Sequence, residues 1–488
     1  MTELHNSERL ERYLLVVFLL TLPILNPWVR GDGVGYYAYA RAPLIEHRFD
    51  FTRDYQRAND SFRVDRLDQS GMPKAIFYTR TGHLENHFTI GPALLWSPFL
   101  ITAHLGVLIA RALGSSVPAD GFSAPYRYAM ALGTGIYGFL ALLLSFRLTR
   151  NFVHPTWAFL ATLAIWWGSS LPVYMYFNPS WSHAHSAFAV SLFLCYWLRT
   201  REHRSLMQWL ILGLIVGLML TVYYANLMIV SVLLVEALFQ YRDSFFRQPS
   251  SDSIETPPTP SQLLVRHLLF GIVVCLTLLP TFISRYIVYG GPFETGYLSV
   301  RDFLWHSPVM LQVLFSSDHG LFAWTPLLLF SFLGLILFTW RVPRIGLPLM
   351  AALICFYLFF SFYPDWDGIS SFGNRFFVSL TPFFIFGLAV TLERFAALFR
   401  TTRLATSVAS VALSCFVLWN LGLIYQWGTH LVPARGPVSF RRAAYNQVAV
   451  VPRQLSSHVA SYFLRRSEFM RELEEEDREQ QQRPVEDP

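Results

Sequence analysis

Charged residues are scarce in this chain of 488 residues. Only 14% are Asp, Glu, Lys or Arg, whereas an ordinary soluble domain carries roughly a quarter. Hydrophobic residues make up 53%, and the mean hydropathy is +0.37. The formal net charge of +6 is small for this length, and the basic residues lie mainly between apolar runs. This composition excludes an ordinary soluble protein and disfavours a nucleic-acid partner.

Cysteine is equally rare. The four cysteines lie far apart inside apolar runs, and no C-x-x-C spacing occurs, which argues against a disulfide framework or a zinc site.

The chain also lacks a small-residue cleavage site after its first apolar run, a G-x-x-x-x-G-K-[ST] nucleotide-binding motif and a visible internal repeat. The first apolar run is therefore expected to remain in place as a helix.

Long apolar runs recur along nearly the whole chain, and their length of about 20 residues is typical of membrane-spanning helices. They lie at about 13–29, 91–112, 126–146, 156–177, 184–198, 207–222, 225–239, 267–289, 321–340, 346–363, 377–392 and 404–427. The sequence predicts an all-α, polytopic transmembrane bundle of about 11–13 helices. The exact count stays open, because an odd number of runs separates two loops that we expect on the same side.

The connectors suggest an orientation and a division into parts. Basic connectors indicate the cytoplasmic side, which places the long loop 30–90 and the shorter loops 178–185, 290–320 and 364–375 outside. The Pro- and Ser-rich stretch 247–262 predicts a flexible cytoplasmic linker. It would divide an N-terminal half, 1–246, from a C-terminal half, 263–427. The tail, 428–488, predicts a surface helix with a solvated charge run at 471–477 and a disordered terminus.

The long first loop opens with Gly31-Asp32-Gly33-Val34-Gly35-Tyr36-Tyr37. Glycines allow a ligand to approach the backbone closely. A carboxylate beside the membrane is costly unless it is paired or has a function, and a carboxylate can take the proton from an attacking hydroxyl. Asp32 is therefore our candidate catalytic base. The alternative is a carboxylate that only ends a helix or forms a turn.

Other polar residues map to the same predicted side and are candidate substrate-binding residues. They are Tyr36, Tyr37, Asp54, Lys74, His87, Arg285, Tyr297, Asp318, His319, Asp365, Asp367, Asn374 and Arg375. Arginine and lysine can hold a phosphate, so Arg375 and Arg285 are expected to bind a phosphate leaving group, with His87 and Lys74 behind them. The pair Asp365 and Asp367 would suit sugar hydroxyls or a divalent cation, and no metal is specified further.

Each of these residue types also has a structural interpretation. Arg375 could be an arginine that reaches the membrane interface, the 365–367 pair a solvated loop, and Asp318-His319 a helix cap. His183 and His185 could be an interfacial pair rather than ligands. The cluster 223–226 is expected to serve helix packing.

Several short motifs resemble those of the GT-C glycosyltransferases. These are an acid directly after the first span, a long first loop, His87-Phe88-Thr89-Ile90-Gly91-Pro92 at the next helix, Asp318-His319-Gly320-Leu321-Phe322-Ala323-Trp324-Thr325-Pro326, and Ser371-Phe372-Gly373-Asn374-Arg375. The family includes the protein O-mannosyltransferases and lipid A aminoarabinose transferases, and the last two motifs look like those of uncharacterised bacterial members. In the Pro-rich segment the basic residue would be His87. The second acid beside the first, found in protein mannosyltransferases, is missing, and Asp54 is a candidate replacement.

The resemblance implies an inverting glycosyltransferase of the bacterial inner membrane, with its active site on the extracytoplasmic side. Asp32 would deprotonate a hydroxyl of a lipid, glycan or protein acceptor. That hydroxyl would attack a sugar held on a polyprenyl-phosphate carrier, and Arg375 would stabilise the departing phosphate. The missing nucleotide motif agrees with a lipid-linked donor. The alternatives are a transporter or flippase of lipid-linked or sugar substrates, and a non-catalytic scaffold.

Overall fold

The computed structural model describes residues 2–246 and 258–482. Within these residues the chain is helical, with two isolated β-bridges in the first loop. Each apolar run predicted above contains a helix, so the all-α class is confirmed. The first part contains α1 Thr2–Thr21, α2 Asp32–Arg41, α3 Thr52–Gln56, α4 Asp60–Arg66, α5 Gly91–Ala112, α6 Ala124–Thr149, α7 Pro155–Trp167, α8 His183–Thr200, α9 Leu206–Val222 and α10 Ser231–Phe246.

The second part begins beyond the gap at 247–257. It contains α11 Pro260–Thr277, α12 Leu279–Tyr289, α13 Met310–Phe315, α14 Leu321–Trp324, α15 Leu327–Arg341, α16 Pro343–Phe362, α17 Thr381–Ala396, α18 Thr402–Gly428, α19 Phe440–Ala449, α20 Val451–Leu464 and α21 Arg466–Gln482. Short 3₁₀ stretches, Tyr224–Val230 and Arg375–Leu380, lead directly into α10 and α17.

Seven helical segments in the described part of the chain are long and apolar enough to cross a membrane. They are Gly91–Ala112, Ala124–Thr149, Tyr224–Phe246, Pro260–Thr277, Pro343–Phe362, Arg375–Ala396 and Thr402–Gly428, and two shorter apolar helices, α9 and α15, accompany them. These segments make the chain an integral membrane protein.

The bundle is centred on α17, the most deeply buried of the long segments. This helix packs against α6, α7 and α8 of the first part and against α15 and α18 of the second. Glycine permits its closest approach: a Cβ atom at Gly334 in α15 would lie 1.8 Å from the carbonyl oxygen of Gly387 in α17. Small residues of this kind let membrane helices pack backbone to backbone. The two predicted halves therefore share one core.

The first loop is a folded layer with its own apolar core, formed mainly by α2, α3, α4 and the start of α5. A buried ion pair holds it together. Arg41 donates to both carboxylate oxygens of Asp54, at 2.7 and 2.5 Å, and to Glu46 at 2.7 Å. A bidentate arginine–carboxylate pair fixes geometry as well as charge, so it stabilises the fold of the layer itself.

The tail differs from its prediction. Instead of one surface helix, the described part contains α19, α20 and α21, and α21 packs against α4 of the first loop. Glu474 is only 6% exposed, and its carboxylate accepts a hydrogen bond from Asn59, so the prediction of a fully solvated charge run is wrong. The terminus predicted to be disordered, 483–488, lies outside the described residues.

The predicted linker also needs a correction. Residues 247–257 lie outside the described part of the chain. Pro260 already begins α11, with Thr259 as its N-cap and Gln262 completing a capping box. The last residues of the stretch 247–262 are therefore the start of a helix, because a capping box satisfies the free N–H groups at a helix N-terminus.

Candidate active site

The structure joins the two residues that the sequence favoured most for chemistry. Asp32 is the first residue of α2, and Arg375 begins the 3₁₀ stretch before α17. One carboxylate oxygen of Asp32, Oδ2, lies 2.8 Å from Nη1 of Arg375. The side chain of Arg375 is 11% exposed and that of Asp32 is 32% exposed, so the acid is the more open of the two. A group that can accept a proton thus lies beside a group that can bind a phosphate.

The turn before Asp32 is held by its neighbours. The backbone N–H of Gly31 donates to Oδ1 of Asn59 at 3.0 Å, and the indole N–H of Trp181 donates to the carbonyl of Arg30 at 3.0 Å. The guanidinium of Arg375 lies over the Trp181 ring, 4.5 Å from its centroid. Trp181 therefore holds the backbone before Asp32 through its indole N–H, and it holds the guanidinium of Arg375 through its ring.

Two of the glycines around Asp32 are needed for this packing. Gly31 has φ +53°, and a Cβ there would lie 3.1 Å from the Trp181 ring. A Cβ at Gly33 would lie 1.9 Å from Oγ of Ser180, closer than any real contact. The glycine-rich sequence thus lets α2 begin directly against the segment before α8.

Asp32 and Arg375 open onto a cavity of about 810 Å³. The residues that line this cavity come from distant parts of the chain. They are residues of 61–66 in α4, Phe88 at the end of the first loop, Asn178 and Trp181 before α8, the loop 368–370, the segment 428–437 at and after the end of α18, and Leu473 and Asp477 of α21. A cavity of this size can hold a small ligand. The tail is therefore part of the candidate site.

Two arginines in the cavity wall were missed by the sequence analysis as site residues. Arg66 ends α4, and Arg435 lies in the segment after α18. The guanidinium of Arg66 lies over the Phe62 ring, 4.1 Å from its centroid. Neither arginine forms an ion pair within the residues that the structure describes. No motif singles them out, because each owes its place in the site to the fold of a segment that the sequence presented as a loop or a tail.

Tyr36 and Tyr297 lie close to the site. Oγ of Ser182 donates to the hydroxyl of Tyr36 at 2.9 Å, and the Tyr36 ring packs on Phe88 with centroids 4.8 Å apart. Tyr297 meets the ring of His87 edge-on, with centroids 4.9 Å apart. Tyr36 and Phe88 are buried, so these aromatic rings pack against one another beside the candidate site.

His87 does not have the charge that the sequence analysis gave it. Burial lowers the pKa of its imidazole to about 4, although the nearby Asp32 acts in the opposite sense. An imidazole with this pKa is neutral near pH 7. The prediction that His87 supplies positive charge to a phosphate is therefore not supported.

Arg285 serves the first loop instead of a phosphate. Its guanidinium donates to the carbonyls of Asn86, His87 and Phe88, at 3.0, 2.7 and 3.0 Å, and to the hydroxyl of Tyr224 at 2.7 Å. These bonds occupy its donors, so the prediction of phosphate binding by Arg285 needs correction. The guanidinium thus supplies hydrogen-bond donors to backbone carbonyls of the first loop.

Three further predicted site residues have structural roles. Asp54 is bound to Arg41 in the first loop and so does not stand in for a second catalytic acid. The hydroxyl of Tyr37 donates to the carbonyl of Gly121 at 2.7 Å. Lys74 donates to the carbonyl of Asp65 at 2.8 Å. None of the three predicted residues lines the cavity of Asp32.

Asp318, Asp365 and Asp367 form a second polar group, outside the cavity wall. Burial and the charge of Asp367 raise the pKa of Asp318 to about 6 and also raise the pKa of Asp365. Asn374 donates to the carbonyl of Trp366 at 3.0 Å and so ties down their loop. Among the described residues no group of three or more His, Cys, Asp or Glu side chains could hold a metal ion. A divalent cation stays a prediction.

His319 lies beside this group. It is fully buried, has φ +58°, and stacks on Trp324 with ring centroids 5.0 Å apart. Its Nε2 atom is 3.6 Å from Oδ1 of Asp318. Burial lowers the pKa of His319 to about 4, and the charge of Arg375 acts in the same sense. A neutral imidazole at this position supports the loop wall and is not a cation for the substrate.

The histidine pair at the start of α8 is buried inside the bundle. His183 packs against Tyr174 with ring centroids 4.7 Å apart, and His185 packs against Trp96 at 5.0 Å. The cluster 223–226 packs helices, as expected: Asn226 donates to the carbonyl of Met219 at 3.0 Å.

Comparisons with known proteins add a likeness of fold. No family model and no curated protein matches this chain. Among solved structures, the apo crystal structure of ArnT from Cupriavidus metallidurans is similar over 88% of this chain and 72% of that chain, with a TM-score of 0.47 and 12% sequence identity. At this score and identity the likeness assigns no activity, and the function is argued from the site.

Proposed function

We propose that this integral membrane protein is an inverting glycosyltransferase that moves a sugar from a polyprenyl-phosphate carrier to a hydroxyl acceptor. The main support is the pair of Asp32 and Arg375, 2.8 Å apart at the wall of a cavity of about 810 Å³. A base beside a phosphate-binding cation is what this reaction requires. The GT-C-like motifs of the sequence name the same two residues.

In the proposed reaction Asp32 takes the proton of the acceptor hydroxyl as its oxygen attacks the anomeric carbon. The new bond forms from that oxygen, and the bond from the anomeric carbon to the phosphate oxygen breaks with its electron pair. The polyprenyl phosphate leaves as an anion, and the proton stays on Asp32. One in-line displacement inverts the anomeric centre. The acceptor would be a lipid, a glycan or a protein.

The phosphate would bind at Arg375, with Arg66 and Arg435 as further cations. Both of these line the same cavity as Asp32, and neither is engaged by a carboxylate among the described residues. Arginine forms two parallel hydrogen bonds to a phosphate, and leaving-group charge is stabilised most by donors that are already in place. Arg66 and Arg435 replace Arg285, His87 and Lys74 in this role.

We place the site on the extracytoplasmic face of a bacterial inner membrane. The support is the basic character of the connectors at 199–204, 341–344 and 393–403, on the side opposite the first loop according to the positive-inside rule. A lipid-linked donor agrees with this side, because a carrier lipid can present a sugar where nucleotide sugars are absent.

Transfer of radiolabelled sugar from a pool of polyprenyl-phosphate donors in membranes tests the proposal. Asp32→Asn should abolish transfer at unchanged expression. The matched control is Asp68→Asn, because Asp68 is an exposed acid of the same loop that does not line the cavity, so it should be dispensable. Undiminished transfer by Asp32→Asn would remove Asp32 from the role of base. No transfer by the unaltered protein with any donor would favour a transporter or flippase.

A further inference from the structure

The last helix, α21, reaches the turn that carries the candidate base. Oε1 of Glu474 accepts hydrogen bonds from Nδ2 of Asn59 and from the backbone N–H of Ser61, both at 2.8 Å. The other end of the same Asn59 side chain accepts from the N–H of Gly31 at 3.0 Å. One relay therefore runs from Glu474 through Asn59 to the residue directly before Asp32.

A second connection holds the other side of the turn. Asp477, one helical turn after Glu474, forms an ion pair with Arg30. The Nε2 atom of His430 lies 2.7 Å from Oδ1 of Asp477, and its Nδ1 atom lies 2.8 Å from Oε2 of Glu476. The carboxylates of α21 thus bind Arg30 and His430, which both line the cavity.

The tail is also anchored before it reaches the site. The hydroxyl of Tyr462 in α20 donates to the carbonyl of Ile24 at 2.6 Å. Arg466, the first residue of α21, donates to the carbonyls of Pro23 and Leu25 at 2.8 and 2.7 Å. These carbonyls follow α1, where the helix leaves them without partners. The contacts fix the start of α21, so its far end meets the first loop in a defined register.

We propose that α21 is a positioning element for catalysis, with Glu474 and Asp477 holding the turn 30–31 so that Asp32 faces the cavity. This proposal rests on the proposed function. Glu474 is 6% exposed and touches no substrate-facing atom of Asp32, so it acts through Asn59. A misplacement on the order of 1 Å in a reacting group costs about a hundredfold in rate, which makes such support significant.

The test compares three variants in the transfer assay with the donor concentration varied. Glu474→Ala removes the acceptor for Asn59 and should lower kcat by between about tenfold and about a hundredfold, while KM for the donor stays nearly unchanged. Glu474→Gln retains an oxygen acceptor and should recover most of the activity. Glu475→Ala is the matched control, because its side chain is exposed on the same helix. Unchanged kcat in Glu474→Ala would overturn the proposal.

A second measurement does not depend on the enzymatic activity. Trypsin treatment of membranes reports docking of α21, since the helix contains Arg471 and Arg478 and a docked helix resists cleavage. Glu474→Ala should be cleaved faster than the unaltered protein and Glu475→Ala should not. If no donor supports transfer, the proposed function fails. Equal cleavage rates in all variants would refute the connection between α21 and the first loop, whether or not transfer is observed.

Discussion

Replacing Arg375 by lysine tests the site most directly. The substitution keeps a positive charge near Asp32, so electrostatic attraction survives. It removes the planar guanidinium that lies over Trp181 at 4.5 Å and donates to Asp32 at 2.8 Å. Lysine is a compact, strongly hydrated charge that cannot form the paired hydrogen bonds of arginine. Any loss of activity therefore reports the geometry of the cation and not its charge.

Arg375→Lys should affect stability and catalysis to different extents. Solvent weakens the ion pair with Asp32, because the acid is 32% exposed. Such ion pairs contribute about 1 kcal/mol or less to the free energy of unfolding. The contribution to catalysis is larger, because losing one preorganised donor to a developing anion costs about 10²–10³ in kcat. We expect Arg375→Lys to lower kcat about a hundredfold, which corresponds to about 2.7 kcal/mol.

The assay is sugar transfer in membranes at several donor concentrations, with expression and thermal unfolding measured in parallel. Arg57→Lys is the matched control, because Arg57 of the first loop pairs at 2.7 Å with Asp120, between α5 and α6, and does not line the cavity. It should retain full activity. Wild-type kcat in Arg375→Lys would refute the role of Arg375 in stabilising the leaving group, and an equal loss in Arg57→Lys would show that general damage to the fold explains the result.

Three further predictions concern single positions. Gly33→Ala places a Cβ 1.9 Å from Oγ of Ser180, so it should destabilise the protein by about 1–3 kcal/mol in thermal unfolding, whereas Gly106→Ala, which meets nothing within 4 Å, should not. Because the pKa of His87 is about 4, His87→Gln should leave the pH profile of transfer between about pH 6 and 8 unchanged, and a lost inflexion would contradict this. Against the effect of burial, the carboxylates of α21 raise the pKa of His430. The charged imidazole of His430 therefore stabilises docking of α21 fully below the ordinary histidine pKa of 6.5. This contribution is lost as the pH rises through the raised pKa of His430. Tryptic cleavage of α21 should accelerate in that range, and His430→Gln should remove the pH dependence.

The helices of the bundle could be predicted from sequence because their signal is local. A run such as 404–427 is apolar over its full length and became α18, Thr402–Gly428, with boundaries two residues or fewer away. Burial of apolar surface in the membrane needs no partner to be specified. The first loop and the tail carry no such signal. Their order comes from pairs of distant residues, such as Arg41 with Asp54 and Arg30 with Asp477.

The candidate site was only partly predictable for the same reason. Residue type and position singled out Asp32 and Arg375, but nothing in the sequence placed one beside the other. Residue type alone was misleading about the roles of His87 and Arg285 in phosphate binding. Burial leaves the histidine neutral, and three backbone carbonyls engage the arginine. Neither burial nor hydrogen-bond partners can be derived from a single chain, because both depend on which segments the fold brings together.

The pairing of Asp32 with Arg375 has a consequence for the order of binding in the proposed reaction. While the guanidinium donates to the carboxylate, it occupies an oxygen that would accept the proton of the acceptor hydroxyl. The phosphodiester of the donor carries one negative charge, as a carboxylate does, and accepts paired hydrogen bonds from arginine. Its arrival would draw the guanidinium from Asp32 and release the base. Donor binding should therefore precede productive acceptor binding, and steady-state transfer at varied concentrations of both substrates should give an ordered pattern that Arg375→Lys weakens.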